Sequence, residues 1–240
     1  MIPPVTAKPH RGVFITIEGL DGCGKSTQLR ELAARLRREG QNVVATREPG
    51  GTPLGERLRE LSLDSRTADL SPRAEMAMMF AARAQHLDQV ILPALEAGAI
   101  VLCDRFTDST EAYQGGGRQL GAAPVRALHQ LLCHGLDPDL TILMDSDVEA
   151  SVARARRRNR SRESKPARAA PGRRQKAAAN ESRFEQESRE FFERVRQAYL
   201  AIARREPERV VVVNARRPIP HVQREIWSAV RERLLRTATR

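Results

Sequence analysis

The sequence predicts an α/β fold built on one parallel, doubly wound sheet. Three observations carry that prediction: five short runs of β-branched and apolar residues, helical periodicities between them, and a glycine-rich loop directly after the first run.

Residues 1–12, with three prolines and few apolar groups, read as an N-terminal tail. Val13-Phe14-Ile15-Thr16-Ile17 is the pattern of a strand buried on both faces. Residues 25–39 then place Leu29, Leu32, Ala33 and Leu36 at helical spacing, and Gly40 stands where a C-cap glycine belongs. Residues 42–46 form a second strand. Ser71-Pro72 is an N-cap followed by proline at the first helical position. The helix it opens runs toward Gly98, with a bend expected at Pro93. Residues 99–103, 140–144 and 209–213 complete the five strands, and a last helix covers about 219–236. Asp145 and Asp147, after the fourth strand, read as helix-start groups.

The formal charge of +11 invites a nucleic-acid reading, but it is concentrated. Residues 151–180 hold 11 Lys and Arg against the single acid Glu163, whereas the other 210 residues carry 30 basic and 29 acidic groups. A uniformly basic protein is excluded, leaving a neutral body with one basic insert. That insert has almost no large apolar side chain, so burial cannot offset its ordering entropy, and it is expected to be either mobile or ordered only on an anionic ligand. A helical pattern resumes near Ser182 and continues through Phe184, Phe191 and Val195 toward Ile202.

Cys23, Cys103 and Cys133 lack CxxC spacing, and no HExxH is present, so a disulfide framework or a Cys-based zinc site is not expected. There is neither a signal-peptide pattern nor a membrane-spanning apolar run, which gives a cytoplasmic expectation.

Gly19-Leu20-Asp21-Gly22-Cys23-Gly24-Lys25-Ser26 matches G-x-x-x-x-G-K-[ST] between a strand and a helix, the context this motif requires. The glycines let backbone N–H groups converge on phosphate oxygens at a helix N-terminus. The ATP-binding segment is therefore Gly19, Leu20, Asp21, Gly22, Cys23, Gly24, Lys25, Ser26 and Thr27. Lys25 is placed to reach the β- and γ-phosphates, with the Ser26 hydroxyl on Mg²⁺. Asp104, at the C-terminal end of a parallel strand, is a second Mg²⁺-binding candidate, and Arg105 adds a planar cation suited to a further phosphate.

Three further segments carry a family resemblance: Thr46-Arg47-Glu48-Pro49-Gly50-Gly51-Thr52, Phe80-Ala81-Ala82-Arg83-Ala84-Gln85, and Asp104-Arg105-Phe106 continuing through Ser109-Thr110 to Ala112-Tyr113-Gln114-Gly115. In this order and spacing they resemble the bacterial thymidylate kinases, over essentially all of residues 13–240 apart from the enlarged insert. The resemblance implies a P-loop nucleotide-kinase fold, a five-stranded parallel sheet wrapped by helices with a basic lid at about 151–184. It implies phosphorylation of dTMP by ATP with Mg²⁺, in dTTP biosynthesis, by a homodimer. It also implies that Phe80 stacks on thymine, that Arg83 hydrogen-bonds the carbonyl edge of the base, and that Arg105 clamps the dTMP phosphate. Ser109, Thr110 and Gln114 then belong to the acceptor site, Tyr113 lies against the sugar, and Glu48 and Pro49 border the same site. Asp21 resembles the family acid near the acceptor sugar and phosphate. Read without the resemblance, Phe80 belongs to a core-facing Met76/Met78/Met79 cluster, Arg83 is a solvated helix charge, Tyr113 is half-buried, and Gly115-Gly116-Gly117 ends a helix.

Because the acceptor is already an anion, the chemistry calls for alignment and charge neutralisation rather than a strong base. Lys25, Arg105 and Asp21 are the catalytic candidates in the body. The phosphate loop holds no arginine, so the chain resembles the type whose catalytic cations come from the lid. Arg154, Arg156 and Arg158 match its start and Arg183 its end, with Arg156 and Arg183 expected to act on turnover. The lid is longer than the family pattern, and Ser182 stands where an aspartate commonly precedes the arginine. Two alternatives stay open: a kinase for UMP, CMP or another nucleoside monophosphate, and a nucleic-acid-binding P-loop ATPase. The basic run lacks aromatic interleaving, which disfavours nucleic acid as a partner.

Overall fold

The computed structural model describes residues 12–67, 69–163 and 183–238. Five parallel strands are ordered β2-β3-β1-β4-β5: β1 (Val13–Gly19), β2 (Val43–Arg47), β3 (Ile100–Asp104), β4 (Leu140–Asp145) and β5 (Val210–Asn214). Alternation along the buried strands divides the core. Ile15, Ile17, Leu102, Ile142 and Met144 face α1 (Lys25–Arg38) and α9 (Ile219–Ala238), whereas Phe14, Val101 and Cys103 join the helices of the opposite face.

On that opposite face, α2 (Pro53–Leu63) was not legible as a helix in the sequence pattern. Its signal was local: the Thr52 hydroxyl accepts the Gly55 N–H at 3.0 Å, and Pro53 occupies the first turn. Ser71 caps α3 (Pro72–His86) as expected, accepting the Ala74 N–H at 3.3 Å. The helix reaches toward Gly98 through a π-helical segment, Leu87–Ile91, followed by α4 (Leu92–Glu96). The irregularity thus precedes Pro93 rather than falling on it, and it sits where the missing proline N–H interrupts the hydrogen-bond ladder.

After β3 come α5 (Thr107–Thr110), a π-helical stretch Glu111–Gly117 and α6 (Ala122–Leu132). Gly115, Gly116 and Gly117 do more than end a helix. A Cβ on Gly116 would lie 2.6 Å from that of Ala198, and one on Gly117 2.6 Å from the Phe191 ring, so the glycines admit α8 (Arg189–Arg205) at close range.

The basic insert is reinterpreted at its start. Residues expected to be mobile or to order only on a ligand instead belong to α7 (Val148–Glu163), whose buried Ser151, Ala155 and Asn159 recur every four residues. Asp147 caps this helix by accepting the Ala150 N–H at 2.9 Å. Asp145 instead pairs with Arg196 at 2.7 Å. On the return, Phe184–Gln186 is a 3₁₀ turn, and α8 starts only after the Ser188 cap. The rest of the insert, residues 164–182 including Ser182, lies outside the described residues, as does the tail 1–11. Gly12 belongs to the fold, its N–H bonded to Leu95 O at 2.9 Å.

Candidate active site

The phosphate loop leaves β1 and ends at Gly24, whose φ of 104° starts α1 without a side-chain cap. The first N–H groups of α1 are thereby left available to an anion. Gly22 (φ 82°) has no room for a Cβ, which would meet Ser151 O of α7 at 2.1 Å. Lys25 folds back over the loop, donating to Gly19 O at 3.1 Å and Leu20 O at 2.9 Å. The Leu20 and Cys23 side chains turn into the interior, so these two can serve a nucleotide only through their backbone. Ser26 Oγ donates to Asp104 Oδ2 at 2.8 Å, placing two hard oxygen donors from separate elements beside the loop. That donor set fits Mg²⁺.

Arg105 follows β3 with φ 78°, a left-handed conformation that side chains with a Cβ seldom adopt. Its guanidinium donates to Ser109 Oγ (2.8 Å), Tyr199 Oη (3.0 Å), Asp21 Oδ1 (2.9 Å) and Tyr113 Oη (3.2 Å). Beneath it lies Glu18, fully buried, which accepts Phe106 N–H at 2.6 Å, Ser109 Oγ at 2.5 Å and Tyr199 Oη at 2.9 Å. Burial and the Asp108 charge push the Glu18 carboxyl up to about 7, against opposition from Arg105 and its hydrogen bonds. Burial would also raise Asp21, but Arg105 and Lys25 outweigh it and hold that carboxyl well below its ordinary range. Neither Glu18 nor Tyr199 was singled out in the sequence; both look like ordinary strand and helix residues until the fold brings them together.

A first cleft, about 710 Å³ counted to its open mouth, gathers Asp21, Glu48, Pro49, Arg83, Arg105, Ser109, Thr110, Tyr113 and Gln114. Arg83 is no solvated charge. It is buried, donating from Nε to Glu48 Oε2 at 2.6 Å and from Nη2 to Phe106 O at 3.1 Å and Thr110 Oγ1 at 3.0 Å. Its Nη1 is buried without a protein partner, a donor left for a ligand acceptor. Glu48 is fixed in turn by His86, whose Nδ1 is hydrogen-bonded with Oε1 at 2.9 Å while Nε2 shares a hydrogen bond with Thr46 Oγ1 at 2.7 Å. Glu48, His86 and Cys103 bring ligand-type atoms within 4.8 Å of one another. Both Glu48 oxygens and both His86 nitrogens are engaged in the hydrogen bonds that hold Arg83, and Cys103 Sγ donates to Arg105 O at 3.0 Å.

Phe80 departs from expectation. It is fully buried in the core cluster with Phe14 and Phe106 and does not line the cleft; its ring lies 4.9 Å under the Arg83 guanidinium. The reason is angular: one residue along a helix is about 100° of rotation, and Met79 takes the cleft-facing position. Leu63 and Phe184 add further wall that the sequence reading did not assign.

The expected catalytic arginines of the lid are also redistributed. Arg183 is buried, with Nε on Ser62 O at 2.7 Å and Nη2 on Glu75 Oε2 at 2.6 Å. Arg156 Nε donates to Glu185 O at 2.9 Å. Neither lines either of the two clefts at the site: Arg183 ties the returning stem to the body, and Arg156 ties the two stems to each other. Arg158 lines both clefts, and Arg154 reaches the phosphate loop, donating to Gly22 O at 2.8 Å. The second cleft, over Lys25, Ser26, Thr27 and Asp104, shares Asp21, Glu48, Arg59, Arg105 and Arg158 with the first.

This arrangement agrees with comparisons to known proteins. A thymidylate kinase of Pseudomonas putida (strain W619) is 51% identical over 214 residues, covering 89% of this chain and 94% of its own. One of Desulfovibrio desulfuricans is 47% identical over 224 residues, 93% and 97% of the two chains. The crystal structure of thymidylate kinase from Ehrlichia chaffeensis superposes with a TM-score of 0.68 at 32% identity, covering 93% of this chain and 99% of that one. The thymidylate kinase family profile matches residues 17–170 and 164–226, and the chain belongs to that family.

Proposed function

We propose that this chain transfers the γ-phosphoryl group of ATP to dTMP, forming dTDP and ADP, as a step in dTTP biosynthesis. The observation that carries this reading is the junction of the two clefts, where Arg59, Arg105 and Arg158 stand beside Asp21 and Glu48. Two phosphorylated ligands brought end to end would meet there, surrounded by cations. A nucleic-acid-dependent ATPase has no use for a second cleft that presents a buried unpaired donor.

The loop N–H groups and Lys25 bind the donor phosphates, and Arg105 fixes the acceptor phosphate in line. Arg158, rather than Arg156 or Arg183, is the lid cation that meets the transferring group. Asp21 holds the Arg105 fork at its resting position until the acceptor arrives. Arg83 donates from Nη1 to a base carbonyl, Gln114 and Thr110 stand beside the base, and Met79 supplies the face it rests on. Ser26 and Asp104 hold Mg²⁺, which when bound neutralises phosphate charge. Residues 13–240 act as one catalytic domain with a lid over about 151–184. The enzyme works in the cytoplasm as a homodimer, a state supported by exposed Leu54 and Leu61 on α2 and Leu131 on α6.

A phosphate-transfer screen with ATP, Mg²⁺ and dTMP, dUMP, UMP, dCMP, CMP and AMP tests the assignment. Preference for dTMP is expected; equal or greater turnover of another monophosphate overturns it. Sedimentation at micromolar concentration tests the dimer.

A further inference from the structure

Glu75 plays no part in phosphoryl transfer, yet it is completely buried beside the acceptor cleft. It stands at the first turn of α3, with Met79 and Arg83 following at four-residue intervals on the same face. Opposite them, Thr110 and Gln114 are likewise one turn apart. Two rungs join the faces: Arg83 Nη2 to Thr110 Oγ1 at 3.0 Å, and Gln114 Nε2 to Glu75 Oε1 at 2.6 Å. Met79 lies between the rungs and lines the cleft.

The second rung fixes which end of an amide the cleft presents. A carboxylate only accepts hydrogen bonds, and Arg183 and Arg118 reach the other Glu75 oxygen at 2.6 and 3.1 Å. Gln114 must therefore turn its NH₂ toward Glu75, because the flipped amide would set two acceptors 2.6 Å apart in the interior. What remains for the ligand is Gln114 Oε1, an acceptor, and, from the same cleft lining, Arg83 Nη1, a buried donor with no protein partner.

We propose that Glu75 is a specificity-determining positioning residue: by orienting Gln114, it makes the cleft read a ring carbonyl next to a ring N–H and reject an amino group next to a bare ring nitrogen. The first pattern is that of thymine and uracil, the second that of cytosine. The inference rests on the dTMP reading and on Arg83 and Gln114 facing the base.

The test compares kcat/KM for dTMP and dCMP in the wild type, Glu75→Gln and the exchanged pair Glu75→Gln/Gln114→Glu. An amide at position 75 can donate or accept, so it frees Gln114 to turn either way. Glu75→Gln should lower the dTMP/dCMP ratio about 10- to 100-fold, the scale of one buried hydrogen bond. The change should fall on the monophosphate KM, leaving the ATP KM in place. The exchanged pair restores an acceptor-only group toward the base and should recover most of the ratio. A folded Glu75→Gln enzyme with an unchanged ratio, or an exchanged pair with no recovery, overturns the proposal. If either variant fails to fold, the wild type decides through the Gln114 side-chain amide protons. These should exchange slowly with solvent both with and without dTMP; protons that exchange freely in either state also overturn it. A wild type that does not phosphorylate dTMP removes the functional reading instead, a separate result.

Discussion

Arg105 Nη2 donates to Asp21 Oδ1 at 2.9 Å, so an acid of the phosphate loop is held by the arginine that follows β3. The two cleft systems are thereby joined through one ion pair, and on the proposed function an acceptor phosphate takes over part of the guanidinium fork. Arg105→Lys keeps the charge but loses the planar two-pronged geometry. Its kcat/KM for dTMP should fall by at least about 100-fold, the scale of about 3 kcal/mol of transition-state binding. Steady-state kinetics check this, and a loss under fivefold contradicts the clamp assignment.

Arg158, Arg156 and Arg183 should separate cleanly. Arg158→Ala is expected to reduce kcat by ~10³-fold, as for other arginines that meet a transferring phosphoryl group. Arg156→Ala should leave kcat within a few-fold. Arg183→Ala leaves the buried Glu75 carboxylate short of one cation, so it should cost about 3–5 kcal/mol in urea unfolding. Equal kcat losses in all three variants would refute this division.

Met79 and Phe80 are adjacent but point to different tests. Met79→Ala should raise the dTMP KM with little change in unfolding free energy beyond that of a partly open site. Phe80→Ala empties a fully enclosed position and should cost about 3–5 kcal/mol. Denaturant titration alongside KM measurements distinguishes them; a stable Phe80→Ala enzyme with impaired dTMP binding would restore the stacking role to Phe80.

Glu18 sets a pH dependence of stability. Its carboxyl is raised from 4.5 to about 7 in the folded chain. Between those values the native state binds a proton that the unfolded chain has released, so this contribution is full below pH 4.5 and lost as pH rises toward 7. Going from pH 5 to pH 8, the wild-type Tm should fall relative to that of Glu18→Gln. Parallel Tm curves for the two proteins contradict the shift.

The strands and the phosphate loop were legible because their signals are local: a β-branched run, a glycine at each tight turn, a proline after a cap. The cleft was legible through the resemblance at Arg83, Arg105 and Gln114. What escaped depended on angle and long-range closure. Phe80 and Met79 differ by one helical position, and the composition of a methionine-rich turn does not reveal which side faces a cavity. Arg183 and Arg158 carry the same charge, but only the fold shows that one meets Glu75 and the other the cleft. Glu18 and Tyr199 stand 181 positions apart before the chain folds.

The bare backbone at Gly116 and Gly117 works as a shim of zero thickness. These glycines set how near α8 can lie, and α8 carries Tyr199, which touches Arg105, Ser109 and Glu18 at once. A single methyl group inserted between the helices would lift that tyrosine away from Arg105 without altering any residue that lines either cleft. The position of the Arg105 guanidinium is therefore calibrated from behind the cleft, by two positions that contribute no side chain.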